Sequence, residues 1–342
     1  MSLSSYRGIF HVNSRKQHRG LEKLRKFREE IGGKMRIVLM GQAAFGAKTL
    51  EALLERGEEV VAVYSPPDGP GGQEDPLTTL AKEKNVPVRQ PTSYKDPEVF
   101  ADFQKFSPEL LIMAFVTAII PAPFLKFPKH GAICYHPSLL PRHRGASAIN
   151  WAIIMGDVRT GLTIFWPDEG IDTGPILLQK EISINPDDTT GSLYFNHLFP
   201  MGIEAILESV DLIKKGKAPR IPQDESKATY EPPCDEKVAQ IDWARPGREI
   251  YNLIRGCDPQ PGAYSFWGGQ KIKFYNAHFS PGKVEQPAGM VIDIKRATLA
   301  ISTGDGILEV ERVRVPNMGK IAVAEFVTKS AIKEGDRFTG KG

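Results

Sequence analysis

Two side chains lying 36 residues apart, one imidazole and one carboxylate, set out the chemistry this chain could perform. His136 closes a short apolar run, "GAICYH" (131–136), and the loop that follows, "PSLLPRHRG", is stiffened by prolines and contains no acidic residue. Asp172 lies in "PDEGIDTG" (167–174), an acidic, turn-rich stretch. A carboxylate beside an imidazole can take a proton from an attacking nucleophile, while the ring hydrogen-bonds an oxygen that gains negative charge. That pairing suits addition to a carbonyl followed by collapse of a tetrahedral intermediate. Cys134, two residues before His136, offers either a nucleophilic thiol or a small apolar side chain. Arg142 and Arg144 could meet an anionic ligand tail or simply face solvent. There is no G-x-S-x-G elbow for a serine nucleophile and no His/Cys cluster with metal-ligand spacing. Taken alone, a strand-end histidine and the Asp of a D-T-G turn are each ordinary structural residues.

The elements around them must bring the pair together. "RIVLMG" (36–41), "EVVAVYS" (59–65), "VPVRQP", "ELLIMAF" (109–115) and "GAICYH" read as buried strands, with helical stretches between the earlier ones. Strand and helix in alternation predict a parallel sheet. In such sheets ligands sit at the carboxyl ends of the strands, where His136 falls. "GLTIFWP" (161–167) and "PILLQKEISI" (175–184) predict later strands toward a sheet edge, so Asp172 lies between two strands. A long helical segment follows, in which Pro200 predicts a kink or a break. "GQAAFG" (41–46) lacks the middle glycine of G-x-G-x-x-G and has no Lys-Ser/Thr after it, so no nicotinamide is expected here. Gly41 and Gly46 fit a tight turn with close helix–strand contact instead.

A polar, proline-rich stretch (217–236) predicts the linker to a second unit of short strands and turns, a small barrel. The expected division is a basic extension over 1–34, a catalytic domain over 35–224, a second domain over 225–330 and a tail over 331–342. The chain has 342 residues, enough for two cores. Residues 1–34 carry nine Lys/Arg against three Asp/Glu, while the other 308 carry 35 against 38. The body is therefore near neutral, with no global footprint for nucleic acid. The basic start reads as a disordered extension or as the product of a start codon upstream of Met35, with a mitochondrial presequence as the other option. Three scattered cysteines form no disulfide framework and point to a reducing, cytoplasmic setting. No apolar run reaches membrane-spanning length.

"HPSLLPRHRGASAINW" (136–151) together with "DEGIDTGPIL" (168–177) resembles the folate-dependent formyltransferase family, whose members transfer or release the one-carbon unit of 10-formyltetrahydrofolate. The likeness runs from about residue 35 to about 330. It implies an α/β, Rossmann-like, mostly parallel catalytic domain followed by a small OB-like β-barrel. The family's catalytic set is Asn-x-His plus a distant Asp. The His matches His136 and the Asp matches Asp172, but the Asn position holds Cys134. Within the family the chain is most similar to the hydrolase domain of 10-formyltetrahydrofolate dehydrogenase, which carries an apolar residue there. "GQAAFG", "FPMGIEAI", "ATYE" and "IDWARPGREIYNLIRGCDPQPGAYSFWGGQKIKFYNA" lean the same way.

The resemblance implies a folate cosubstrate, no metal, and a pterin held near Phe115, Val116, Leu139, Leu140, Pro141, Asp168 and Gly170, with Arg144 nearby. It implies a formyl acceptor that is water or a thiol, including a carrier-protein thiol. The carrier and aldehyde dehydrogenase domains of the full dehydrogenase have no counterpart before Gly342, so any NADP-linked oxidation is expected to need another chain or to be absent. Methionyl-tRNA formyltransferase is the alternative. Against it stand Cys134 and residues 225–342, whose 17 Lys/Arg and 15 Asp/Glu make a weak footprint for tRNA. A folate-binding regulatory protein is the non-enzymatic alternative.

Overall fold

The computed structural model describes residues 33–340 apart from Arg296. The extension expected over 1–34 therefore lies almost wholly outside the described residues. Seven strands form the first sheet: β1 Arg36–Gly41, β2 Glu59–Tyr64, β3 Val88–Arg89, β4 Leu110–Ala114, β5 Ala132–His136, β6 Arg159–Phe165 and β7 Ile176–Ser183. Their spatial order is β3-β2-β1-β4-β5-β6-β7, parallel as far as β5 and antiparallel beyond it. The order reverses between β1 and β4, so the switch point of this sheet lies beside Gly41 and Ala114.

The central strands read as unbroken apolar runs because both faces are covered. One face packs Ile37, Leu39, Leu110, Ile112, Ile133 and Tyr135 against the helices Ala43–Glu55 and Phe199–Lys214. The other packs Val38, Met40, Leu111 and Met113 against Phe103 and Phe124 from the helices Pro97–Lys105 and Ala122–Lys126. Gly41 is where β1 meets β4, since a Cβ there would stand 2.5 Å from the Ala114 carbonyl oxygen. That approach is strand against strand; the helix–strand contact expected of the G-x-x-x-x-G spacing is at Gly46, where a Cβ would stand 3.4 Å from the Gly41 carbonyl carbon. Beyond β7 the chain turns through Thr190–Leu193 and a π-helical turn, Tyr194–Leu198, before the 16-residue helix Phe199–Lys214 begins. Pro200 follows that π turn, and the backbone stays right-handed helical through Leu198 and Phe199, so the proline is met by a local change of hydrogen-bond spacing and not by a break.

Residues 217–236 are not a free tether. Ile221 pairs with Ile176, and Tyr230 with Arg144, so the stretch lies along the first domain as a strap. The second domain opens with a helix, Gly247–Gly256, which the expectation of short strands and turns did not include. It packs its Ile250, Tyr251 and Ile254 under an antiparallel sheet: β8 Tyr264–Trp267, β9 Gln270–Pro281, β10 Val291–Ile294, β11 Leu299–Ser302, β12 Gly306–Val315 and β13 Gly319–Ala322. Its path runs β10-β11-β12-β9-β8, with β13 beside β12. The sheet curls around Trp243, Phe274, Val310 and Phe338. Residues 335–339 pair with the β8 edge through Phe266 and with the β10 edge through Gly289 and Val291. That segment belongs to the second domain and bridges its two edges, in place of the tail expected over 331–342. The domains meet where Asn150 donates to the Gly256 carbonyl at 2.7 Å.

Candidate active site

His136 is the last residue of β5, held at 6% exposure by the packed strands on either side. Its Nε2 lies 2.7 Å from the His143 carbonyl oxygen. A carbonyl only accepts, so Nε2 carries the hydrogen and the ring's other nitrogen is left to face the ligand side. That nitrogen, Nδ1, stands 3.5 Å from Asp172 Oδ2. The two residues singled out by type therefore do converge, and the sheet explains how. β5 and β6 are antiparallel neighbours, and the loop leaving β6 folds back to place Asp172 over the end of β5.

Asp172 sits at φ +56°, in the left-handed region that Asp tolerates better than most residues. Such strain persists only where the surroundings fix it. Here the same Oδ2 accepts the Gly145 N–H at 2.7 Å, and the Asp172 carbonyl accepts Gln223 Nε2 at 2.8 Å. Gly174 closes the loop against the sheet, where a Cβ would overlap the Trp166 carbonyl at 1.8 Å. The D-T-G turn thus owes its glycine to close packing, and its aspartate is free for chemistry.

Cys134 shares a face of β5 with His136 because strand side chains alternate. Burial, with the Asp172 charge adding to it, pushes the Cys134 thiol far above the ordinary thiol range. Its Sγ reaches the Tyr135 carbonyl at 3.7 Å, a weak contact. A thiol held neutral is a poor nucleophile, so the geometry supports the packing role for Cys134 over a formyl-accepting one.

The residues expected around a pterin fall into three places. Asp168 and Gly170 line a cavity of about 810 Å³ with Leu125, Ala132, Trp166 and Arg220. Arg220 stacks over the Trp166 ring at 3.9 Å, forming a flat wall, and Asp168 Oδ1 holds its own loop through the Gly170 N–H and the Thr173 hydroxyl. Ala132, Cys134 and His136 lie on one face of β5, so the cavity that Ala132 lines and the His136–Asp172 pair share that face, about 13 Å apart along the strand at ~3.3 Å per residue. Phe115 and Val116 instead line a second cavity of about 480 Å³ at the switch point, with Gln42 and Tyr64. Leu139, Leu140 and Pro141 line neither. Leu140 is buried, its N–H donating to Thr163 Oγ1 and its carbonyl accepting Gln179 Nε2, so this loop supports β5 and β6.

Arg144 corrects the sequence reading most directly. It is 1% exposed, and its guanidinium is taken up by Gln223, Glu225 and Tyr230 of the strap. It cannot reach a ligand tail while so engaged. His143 also has a role that sequence alone did not assign. Its carbonyl fixes the His136 ring, and its own ring lies between Asp157 Oδ2 at 2.9 Å and Glu231 Oε1 at 3.3 Å. The only signal for either was their presence in an acid-free loop, which does not say what they touch.

Residues 35–206 match the family model described as formyl transferase, and residues 234–331 match the model of the formyl transferase C-terminal domain. This chain belongs to the formyl transferase family. Among formyl transferase relatives, the mitochondrial 10-formyltetrahydrofolate dehydrogenase of Mus musculus is 43% identical over 82% of this chain. The chain spans only 31% of that protein's length. Methionyl-tRNA formyltransferase of Alkaliphilus oremlandii is 34% identical over 88% of this chain and 99% of its own. The fold recurs in the solved N-formyltransferase of Helicobacter canadensis, bound to folinic acid and dTDP-3-aminofucose, with a TM-score of 0.63 at 20% identity, covering 82% of this chain and 100% of that one. It recurs as well in HypX of Aquifex aeolicus bound to tetrahydrofolic acid, with a TM-score of 0.62 at 20% identity, covering 90% of this chain and 51% of that one.

Proposed function

We propose that this chain hydrolyses 10-formyltetrahydrofolate, releasing formate and tetrahydrofolate. The observation that carries this reading is the 3.5 Å approach of His136 Nδ1 and Asp172 Oδ2 at the strand end, with the 810 Å³ cavity on the same face of β5. The folate ring system would occupy that cavity against Trp166 and Leu125, and its N10 arm would run past Cys134 to the pair. Asp172 takes a proton from water as the oxygen attacks the formyl carbon. With Nδ1 protonated, His136 donates to the developing oxyanion, because its Nε2–H is already given to His143. The same Nδ1 proton passes to N10 as the carbon–nitrogen bond breaks; formic acid leaves and loses its proton to water, and the proton taken up by Asp172 crosses to Nδ1 and resets the pair.

Water is the acceptor this site favours. The neutral thiol at Cys134 neither competes as nucleophile nor supplies the strong carbonyl-oxygen donor that an Asn would, and losing one such donor costs ~10²–10³ in rate. Relatives named as 10-formyltetrahydrofolate dehydrogenases support the folate assignment. A second reading, formylation of methionyl-tRNA, draws on the relative aligned along 99% of its length. Incubation with 10-formyltetrahydrofolate, alone and with charged initiator tRNA, separates the readings. Stoichiometric formate in both tubes is expected. Formyl-methionyl-tRNA would replace the first reading by the second, and binding of folate with neither product would leave a folate-binding protein.

A further inference from the structure

We propose that Gln223, in the strap between the two domains, is a positioning residue for the formyl site, so that the catalytic aspartate is set from outside its own loop. The inference rests on the reading of Asp172 as the base. Both hydrogens of the Gln223 amide are spent on the catalytic loop: Nε2 donates to the Asp172 carbonyl at 2.8 Å and to the Gly174 carbonyl at 2.7 Å. Its oxygen accepts Arg144 Nε at 3.1 Å and Nη2 at 2.7 Å. The amide has one orientation only, since a flip would set its oxygen against two carbonyl oxygens and its NH₂ against a guanidinium.

The two carbonyls flank the part of the loop that most needs support. Asp172 is held at φ +56°, and Gly174 is pressed onto the Trp166 carbonyl. Fixing their main chain fixes where the Asp172 carboxylate falls between the Gly145 N–H and His136 Nδ1. Arg144 holds Gln223 in turn, and the neighbouring His143 presents the carbonyl that fixes the His136 ring. The main chain of this loop is itself laced to the strap. Thr229 Oγ1 accepts the His143 N–H at 2.8 Å, and the Thr229 carbonyl accepts the Arg144 N–H at 3.0 Å. One strap therefore sets the position of both members of the pair.

The test is Gln223→Glu in the full chain. The carboxylate keeps its partner in Arg144 but turns two attractive contacts with carbonyls into repulsive ones. Expected is a fall in kcat on the order of 10²-fold, the cost of misplacing a reacting group by about 1 Å. KM for 10-formyltetrahydrofolate should stay within threefold, since Gln223 lines neither cavity. Gln223→Met, which removes the donors without adding charge, should move kcat in the same direction. Unchanged kcat in Gln223→Glu overturns the proposal, and so does a lowered Tm with kcat per folded molecule intact. The His136 ring nitrogen NMR signals give a readout that does not depend on turnover: the Nδ1 line should move in Gln223→Glu. If the wild-type protein releases no formate but that line moves, the hydrolase reading fails and the positioning role stands. If the line stays fixed, the positioning role fails.

Discussion

Replacing Asp172 by Asn tests the base with the least disturbance of shape. In the native protein Oδ2 accepts the Gly145 N–H at 2.7 Å and lies 3.5 Å from His136 Nδ1. The Asn oxygen can keep the Gly145 bond, and the Gln223 bond to the main chain is untouched. What disappears is the charge and with it the capacity to take a proton. Weakening one charge-assisted hydrogen bond to a neutral one costs about 1 kcal/mol, since the former are roughly twice as strong. In a chain of this size that lowers Tm by only ~2–4 °C. Loss of a general base costs ~10²–10⁴ in rate, or about 3–5 kcal/mol of barrier. The two effects differ enough to be told apart. Formate release should fall at least 100-fold while the folate dissociation constant, followed by quenching of Trp166 fluorescence, stays within threefold. Turnover above one tenth of the wild-type value in a folded Asp172→Asn protein would refute Asp172 as the base.

Other perturbations follow from the same geometry. Cys134→Ala should leave formate release within about threefold, because a thiol kept neutral by burial adds little to the reaction; a fall of 100-fold would restore the thiol as acceptor. Cys134→Asn should raise transfer to small amines by ~10²-fold through the regained donor, measured by the formylated product. Alkylation with iodoacetamide at pH 8, mapped by mass spectrometry, should modify Cys234 first. The hydrogen bond from Cys257, 3.7 Å away, lowers the Cys234 thiol, so more of it is thiolate at that pH, whereas Cys134 is shifted upward and stays protonated. Arg144→Met should destabilise by about 3 kcal/mol in urea unfolding, the lower end for a broken buried pair because the Glu225 side chain is 68% exposed.

How much of this could be read from the residues depended on the range of the interaction. Strands β1, β2, β4 and β5 declared themselves because burial on both faces leaves an unbroken apolar run. Pro200 marked the irregular π turn before the helix because its effect is local. His136 and Asp172 were visible as residue types at strand ends, and the family motif paired them. The partition of the ligand-facing residues was not visible. Phe115 and Asp168 both follow strands, yet they line different cavities because β1 and β4 meet at the switch point while the loop after β6 folds over β5. Arg144 read as a surface cation because no local pattern announces that a strap 80 residues later will bury it. Residues 335–339 read as a tail because a stretch bonded to two separate edges shows no strand alternation of its own.

The strap also ties the site on the first domain to the chain that leads to the next. Within the catalytic domain the tie on the Asp172 carboxylate is the Gly145 N–H, and Gly145 belongs to the very loop whose neighbours, His143 and Arg144, lean on Thr229, Glu225 and Tyr230. At its far end the strap touches both domains: Ser147 Oγ of the first accepts the Cys234 N–H at 3.1 Å, and Cys234 Sγ lies 3.7 Å from Cys257 Sγ of the second. Cutting the chain after residue 216 would remove Gln223 and Thr229 together while leaving every sheet contact of the catalytic pair in place. A fragment ending there should therefore retain the parallel sheet by circular dichroism but lose formate release by more than the ~10²-fold assigned to Gln223 alone, because both ring and carboxylate lose their outer supports. Full turnover in that fragment would show that the seven-stranded sheet positions the pair unaided and that the strap only joins two domains.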